Sequence, residues 1–215
     1  MIVVYTACFG GYDAIQPVIV DSDAEFVAVT DSDTEIDGWN LINVTIHGPV
    51  TNPRRIARMY KAMPHILFPA ADVWIWHDSN VQLLVPPELL VAEWLGYADL
   101  AAPKHPSRDC AYGEGRRCIE KGKDTRAKLE AQMGGYGRFG YPEHNGLAKT
   151  RVVIRRNTES VLQFNEIWWS EISTKSVRDQ VSFNFAAWVA PVEWKSINAW
   201  VPDHPWFNFE EHQGA

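Results

Sequence analysis

Trp74-Ile75-Trp76-His77-Asp78-Ser79-Asn80 opens as a short apolar, aromatic run and ends in an aspartate, a serine and an asparagine. The first half reads as a buried strand and the second half as its polar tip. A strand that carries oxygen donors out of the core delivers them to the edge of a sheet, where the ligands of α/β proteins sit. Hard cations such as Mg²⁺ take such oxygens and bridge them to phosphates. Taken alone, Asp78-Ser79-Asn80 also reads as a strand closed by an Asx turn, so its meaning depends on its surroundings.

Working outward, the same strand-then-polar-tip pattern recurs. Ile2–Cys8 is a continuous apolar run, as in a strand buried on both faces, and it breaks at Phe9-Gly10-Gly11-Tyr12-Asp13. Phe26–Val29 is a second strand, ending in Thr30-Asp31, and Leu41–Ile46 is a third. Pro53 starts a helix with Asn52 as its cap. Val81–Val85 continues past the acidic tip, and Pro86-Pro87 starts a short helix through Trp94. Further strands are expected over Asp99–Pro103, Val152–Ile154 and Val192–Ile197. Helices are expected over Gly115–Met133, Thr158–Ile172 and Asp179–Val189. Gly134–Gly140 is too glycine-rich for a regular element. Strands alternating with helices imply a mixed α/β sandwich with a largely parallel sheet.

The 215 residues, 46% of them hydrophobic, suit one globular domain. No run is long and apolar enough to span a membrane, and the apolar N-terminus reads as a first strand rather than a signal peptide. Three cysteines without a CxxC pair imply reduced thiols and a cytoplasmic protein. A zinc site from Cys110, Cys118 and His105 has poor spacing. The net charge of −7 argues against a non-specific nucleic-acid binder. However, the Lys104–Lys128 stretch is basic and suits an anionic ligand or a solvated face.

Several groups are candidates for chemistry. Gly10 and Gly11 let the backbone approach a ligand, but GxGxxG and Walker patterns are absent. Arg58 and Lys61 lie three apart on one helix face, which suits a diphosphate or solvent. His105, Arg108, Asp109 and Glu114 crowd a loop after a strand. Asp179 opens a helix, either as its cap or as an acid or base in a site. His204 stands in a proline-bounded turn, structural or a late metal ligand.

Taken together, Tyr5–Asp13, Ala57–Lys61 with His65 and Leu67–Pro69, Trp76–Leu83, His105 with Arg108–Cys110 and Tyr112–Glu114, and Arg178–Phe183 resemble a known family. It is the glycosyltransferase-like family long known as a domain of unknown function, with plant Golgi proteins linked to mucilage and pectin synthesis and with bacterial and phage relatives. The resemblance covers roughly residues 1–190. It implies a GT-A-like three-layer α/β/α sandwich with a mostly parallel central sheet, and sugar transfer from a UDP- or GDP-sugar. Residues 1–100 would be the nucleotide-sugar-binding half and 101–215 the acceptor-side half of a single domain. The resemblance puts Thr6, Phe9, Gly10, Gly11, Tyr12 and Asp31 on the nucleotide and Arg58 and Lys61 on the diphosphate. His105, Arg108, Glu114, Asp179 and Gln180 would line the sugar and acceptor side, with Asp179 or Glu114 as base if the reaction inverts. Asp78 would hold Mn²⁺ or Mg²⁺ with Asn80 and His204. Asn80 stands where the family of A-type transferases has a second acid, which weakens that site. The acceptor stays open among glycan, protein, lipid and a modified phage DNA base, as does a non-catalytic binding module. A hydrolase using His105, Asp109 and Glu114 is a further alternative.

Overall fold

The computed structural model describes residues 1–45 and 52–211. Along the chain lie β1 (Ile2–Cys8), β2 (Glu25–Thr30), β3 (Asn40–Asn43), α1 (Pro53–Ala62), α2 (Pro64–Leu67), β4 (Val73–His77), β5 (Val81–Leu83) and α3 (Pro87–Leu90). They are followed by β6 (Leu100–Pro103), α4 (Ala111–Glu120), α5 (Arg126–Phe139), β7 (Val152–Arg156), α6 (Glu159–Thr174), α7 (Asp179–Val189), β8 (Trp194–Ile197) and β9 (Phe207–Phe209). Ile46, at the end of the expected third strand, lies outside the described residues.

The main sheet has seven strands in the order β3-β2-β1-β4-β7-β6-β8. All neighbours run parallel except around β7, which is antiparallel to both β4 and β6. The two halves of the chain therefore share one sheet. Side chains alternate between its faces, as the pleat requires. Tyr5, Trp74, Trp76 and Val153 pack on one face against Ile56 of α1, Phe164 and Trp168 of α6 and Phe183 of α7. Val4, Ile75, Val152 and Ile154 pack on the other against Trp39, Leu90, Trp94 and Phe207. This is the expected α/β/α arrangement, its second layer made of short helical turns, a loop and a two-stranded sheet.

Three expectations change. Val81–Leu83 does not extend the main sheet; it pairs with β9 in that small second sheet. The helix expected over Gly115–Met133 is two helices, α4 and α5, broken at residues 121–125. The glycine-rich stretch is helical, because α5 runs through Gly134, Gly135 and Gly137 before Gly140 ends it in the left-handed region. Each such glycine costs about 1 kcal/mol relative to alanine, and tertiary contacts offset it. Tyr136 is fully buried, stacks on Phe185 with ring centres 3.9 Å apart, and donates a 2.8 Å hydrogen bond to Glu171.

Candidate active site

Because β1, β2, β4 and β6 are co-directional, their C-terminal ends lie at one edge of the sheet. β7 runs the other way, so its N-terminal end joins them there. A cleft of about 780 Å³ opens at this edge. The turn after β1, the strand tip at Asp78, the start of α1, the segment leading into β7 and the start of α7 line it.

A buried ion cluster forms its floor. Lys61, fully buried, lies 3.1 Å from Asp78 Oδ1 and 2.7 Å from Asp179 Oδ2. Arg58 Nε is 3.1 Å from Asp179 Oδ1, and Arg58 also reaches Asp78 at 4.0 Å. Trp76 Nε1–H donates to Asp78 Oδ1 at 3.0 Å, and the Thr150 hydroxyl donates to Asp179 Oδ2 at 2.9 Å. The helix spacing of Arg58 and Lys61 and the strand spacing of Trp76 and Asp78 aim these groups at one point. Burial pushes the Asp179 carboxyl up, but Arg58, Lys61 and Arg178 outweigh it and hold the group well below the usual carboxylate range. Asp78 is held low in the same way by Lys61 and Arg58. Burial pushes Lys61 down, opposed by the two carboxylates.

The structure sorts the expected site residues. Phe9, Gly10, Tyr12, Arg58, Asp78, Asp179 and Gln180 line the cleft. Asp31 stands behind the glycine turn and fixes it, its carboxylate accepting from Gly10 N–H at 3.0 and 3.1 Å. Gly10 and Gly11 have φ of +68° and +62°, a region that disfavours side chains. Thr6 is buried within β1 and does not reach the cleft. Lys61, expected on a solvated face or a diphosphate, lies beneath the cleft floor and joins the two aspartates instead. Asp179, expected as a base, is a poor proton acceptor, because its negative charge is already held by two cations.

The expected Mn²⁺ or Mg²⁺ site does not fit the residues present. Asn80 turns its amide away to the Glu210 carbonyl at 2.7 Å, drawn there by the β5–β9 pairing. His204 packs among Trp94, Trp206 and Phe207 on the far face of the sheet. Asp78 is already engaged by Lys61 and Trp76. Among the described residues, no three His, Cys, Asp or Glu side chains come together in a way that could hold a metal ion, and this covers Cys110, Cys118 and His105 as well.

The His105 loop forms its own cluster, beside the cleft rather than lining it. Arg108 pairs with Glu114 at 2.7 Å and its guanidinium sits 2.7 Å from His105 Nε2. His105 Nδ1 accepts from the backbone N–H of Ser107 and Arg108. Burial, Arg108 and Lys149 push His105 down to about 4. Asp109 instead pairs with the exposed His144 at 2.9 Å. The hydrolase set of His105, Asp109 and Glu114 is therefore not assembled, and Glu114, bound to Arg108, is not placed as a base in the cleft.

Sequence reasoning missed Lys149 and Arg151. These two, just before β7, line the cleft together with Arg178 and with Lys123 of the basic Lys104–Lys128 stretch. Lys149 is pushed down to about 8 by burial and by neighbouring Arg151. The signal was present, since Lys149-Thr150-Arg151 is a polar cap on an apolar strand. It stands at the start of the strand rather than its end, and only the antiparallel run of β7 brings it to the cleft.

Comparison with known proteins agrees with this architecture. Residues 20–197 match the family model described as TOD1/MUCI70, glycosyltransferase-like domain. A probable hexosyltransferase, MUCI70, from Arabidopsis thaliana is 25% identical over 213 residues, covering 85% of this chain and 36% of the relative. An alkaline ceramidase, TOD1, from the same plant is 27% identical over 167 residues, covering 72% of this chain. The chain thus spans only 36% of the length of either relative. Among solved structures, the apo bifunctional glycosyltransferase WbbM superposes over 91% of this chain and 38% of that one, with a TM-score of 0.50 at 10% identity, a likeness of fold. The strand-edge cleft thus sits in a chain that belongs to the TOD1/MUCI70 glycosyltransferase-like domain family.

Proposed function

We propose that this cleft moves a sugar from a UDP- or GDP-sugar to an acceptor hydroxyl. The observation that carries the reading is the cleft at the C-terminal strand edge. It joins a backbone-exposing glycine turn at one end to a dense set of fixed cations at the other. The nucleotide lies along Phe9, Gly10 and Tyr12, and the diphosphate over Arg58. In the transfer, the sugar C1–O bond to the diphosphate breaks and its electron pair leaves with the diphosphate. The acceptor oxygen bonds to C1, and its proton passes to an oxygen of the leaving diphosphate or to water. Charge building on the leaving group is met by positive groups already in place, which costs no reorganisation. Asp179 and Lys61 act as positioning residues that hold Arg58 and Asp78 in register. Gln180 and Arg178 face the sugar from the start of α7.

The acceptor is a glycan, a protein, a lipid or a modified DNA base, and these are separated by assay. The matched ceramidase relative raises lipid hydrolysis as a second chemistry, but His105 and Glu114 are both held by Arg108 and Asp109 is turned to His144, which speaks against a hydrolytic triad in this chain. The test is a panel of UDP- and GDP-sugars with the protein, following donor hydrolysis and transfer to added glycans. Slow donor turnover that is lost in Arg58→Ala supports the reading. Donor binding without any turnover makes the protein a binding module, and neither binding nor turnover with any donor refutes the donor site.

A further inference from the structure

Several positive groups gather around the strand-tip aspartate, which shares them with Asp179. Lys61 lies 3.1 Å below Asp78, and Arg58 approaches it at 4.0 Å from α1. Arg151 is adjacent through the backbone, its carbonyl accepting from Asp78 N–H at 2.8 Å. The charges of Arg151 and Lys149 both interact with that of Asp78. A divalent cation at Asp78 would add two positive charges inside this ring, beside carboxylates already neutralised by Lys61 and Arg58. A sugar diphosphate has the opposite sign, and its oxygens, on sugar and phosphates alike, meet donors that lack acceptors. Among the described residues, one terminal guanidinium nitrogen of Arg151, Nε of Arg178 and the amide nitrogen of Gln180 are buried without a hydrogen-bond partner. All three residues line the cleft, and Gln180 is 4% exposed. Arg151 is also held rigid, its guanidinium 4.3 Å from the Phe209 ring centre and 5.2 Å from that of Trp200.

We propose that Arg58, Lys149 and Arg151 take the place of a divalent metal. They bind the diphosphate of a nucleotide donor and carry the leaving-group charge without a metal ion. Arg58 reaches the diphosphate from α1, and Lys149 and Arg151 from the start of β7, so that two elements clamp it from opposite sides. The inference rests on the donor reading above.

The experiment titrates the protein with UDP, GDP and inorganic pyrophosphate, in EDTA and again in Mn²⁺, by calorimetry or tryptophan fluorescence. Affinities in EDTA and Mn²⁺ that agree within about twofold are expected. Losses of about 10- to 100-fold are expected in Lys149→Ala and Arg151→Ala, the worth of a charged hydrogen-bonding partner. If Arg151→Ala fails to fold by circular dichroism, Arg151→Lys and Lys149→Gln carry the test. The lysine variant keeps the charge but loses the fork, so weakened binding supports the assignment. Wild-type affinity in Lys149→Ala and Lys149→Gln overturns it. Binding that appears only with Mn²⁺ and vanishes in EDTA overturns the inference while leaving the donor reading intact. Binding under neither condition overturns both.

Discussion

Replacing Lys61 with methionine keeps the aliphatic stem and removes only the buried ammonium. That ammonium makes two ion pairs, at 2.7 and 3.1 Å, to carboxylates whose side chains are 4% and 18% exposed. Removing one partner of a buried pair costs about 3–5 kcal/mol, because it strands the other charge. Arg58 stays beside both aspartates, which puts the expected cost at the lower end, about 3 kcal/mol. For a chain of this length that corresponds to a loss of roughly 6–12 °C in Tm. Urea unfolding followed by tryptophan fluorescence reads it as a lower midpoint at unchanged slope. The pH dependence gives an independent check. In the wild type, Asp78 and Asp179 lie below their ordinary value of 3.8, so their stabilisation is full above that pH and fades as pH falls through the depressed values. In the variant the two carboxylates repel each other and one takes up a proton more readily. Acid thus relieves the variant while it weakens the wild type, and the stability gap narrows toward the ordinary carboxylate pKa. A loss below about 1 kcal/mol at neutral pH, or a gap indifferent to pH, would show that Lys61 is not the tie between the two aspartates.

The same Lys61→Met change frees Asp78, Asp179 and the Thr150 hydroxyl as oxygen donors, so Mn²⁺ should raise the Tm of the variant and leave the wild type unmoved; equal shifts in both would argue against the cation having been displaced by lysine. Arg58→Ala should weaken pyrophosphate and UDP binding by about 10- to 100-fold in calorimetry, and unchanged affinity would remove Arg58 from the diphosphate site. Pyrophosphate affinity should fall as pH rises through about 8, where Lys149 loses its proton, and Lys149→Arg should flatten the profile. A wild-type affinity that stays level across that range contradicts the role given to Lys149. Gly10→Ala places a side chain at φ +68°, with its Cβ 3.3 Å from Pro53, and should cost about 1–2 kcal/mol in denaturant unfolding; a neutral substitution would mean that the turn relaxes freely.

The layered fold was readable from the chain because each signal is local. Val73–Trp76 is apolar throughout and Ile2–Cys8 is apolar but for Thr6, as suits strands buried on both faces, and Asn52-Pro53 caps a helix by its own chemistry. The glycine turn at Gly10-Gly11, the acidic tip at Asp78 and the helix start at Asp179 were legible for the same reason. Other features depended on partners far along the chain. Tyr136 keeps a glycine-rich stretch helical through Phe185 and Glu171, forty-nine and thirty-five residues on. Asn80 lies at the polar tip as expected, yet its amide is claimed by the carbonyl of Glu210, 130 residues away and just past β9.

The sequence by itself determined the strands and tips of β1, β2 and β4 and the starts of α1 and α7, and hence that a polar cleft forms at the edge of a largely parallel sheet. Only the tertiary structure decided what charge fills that cleft. Its one antiparallel strand, β7, carries Lys149 and Arg151 to the edge where the other strands end, and burial sets Lys61 between Asp78 and Asp179. Strand direction and long-range ion pairing are properties of the assembled sheet, so the strand tip that read as a metal ligand, Asp78, is met by Lys61 and Arg58 of α1.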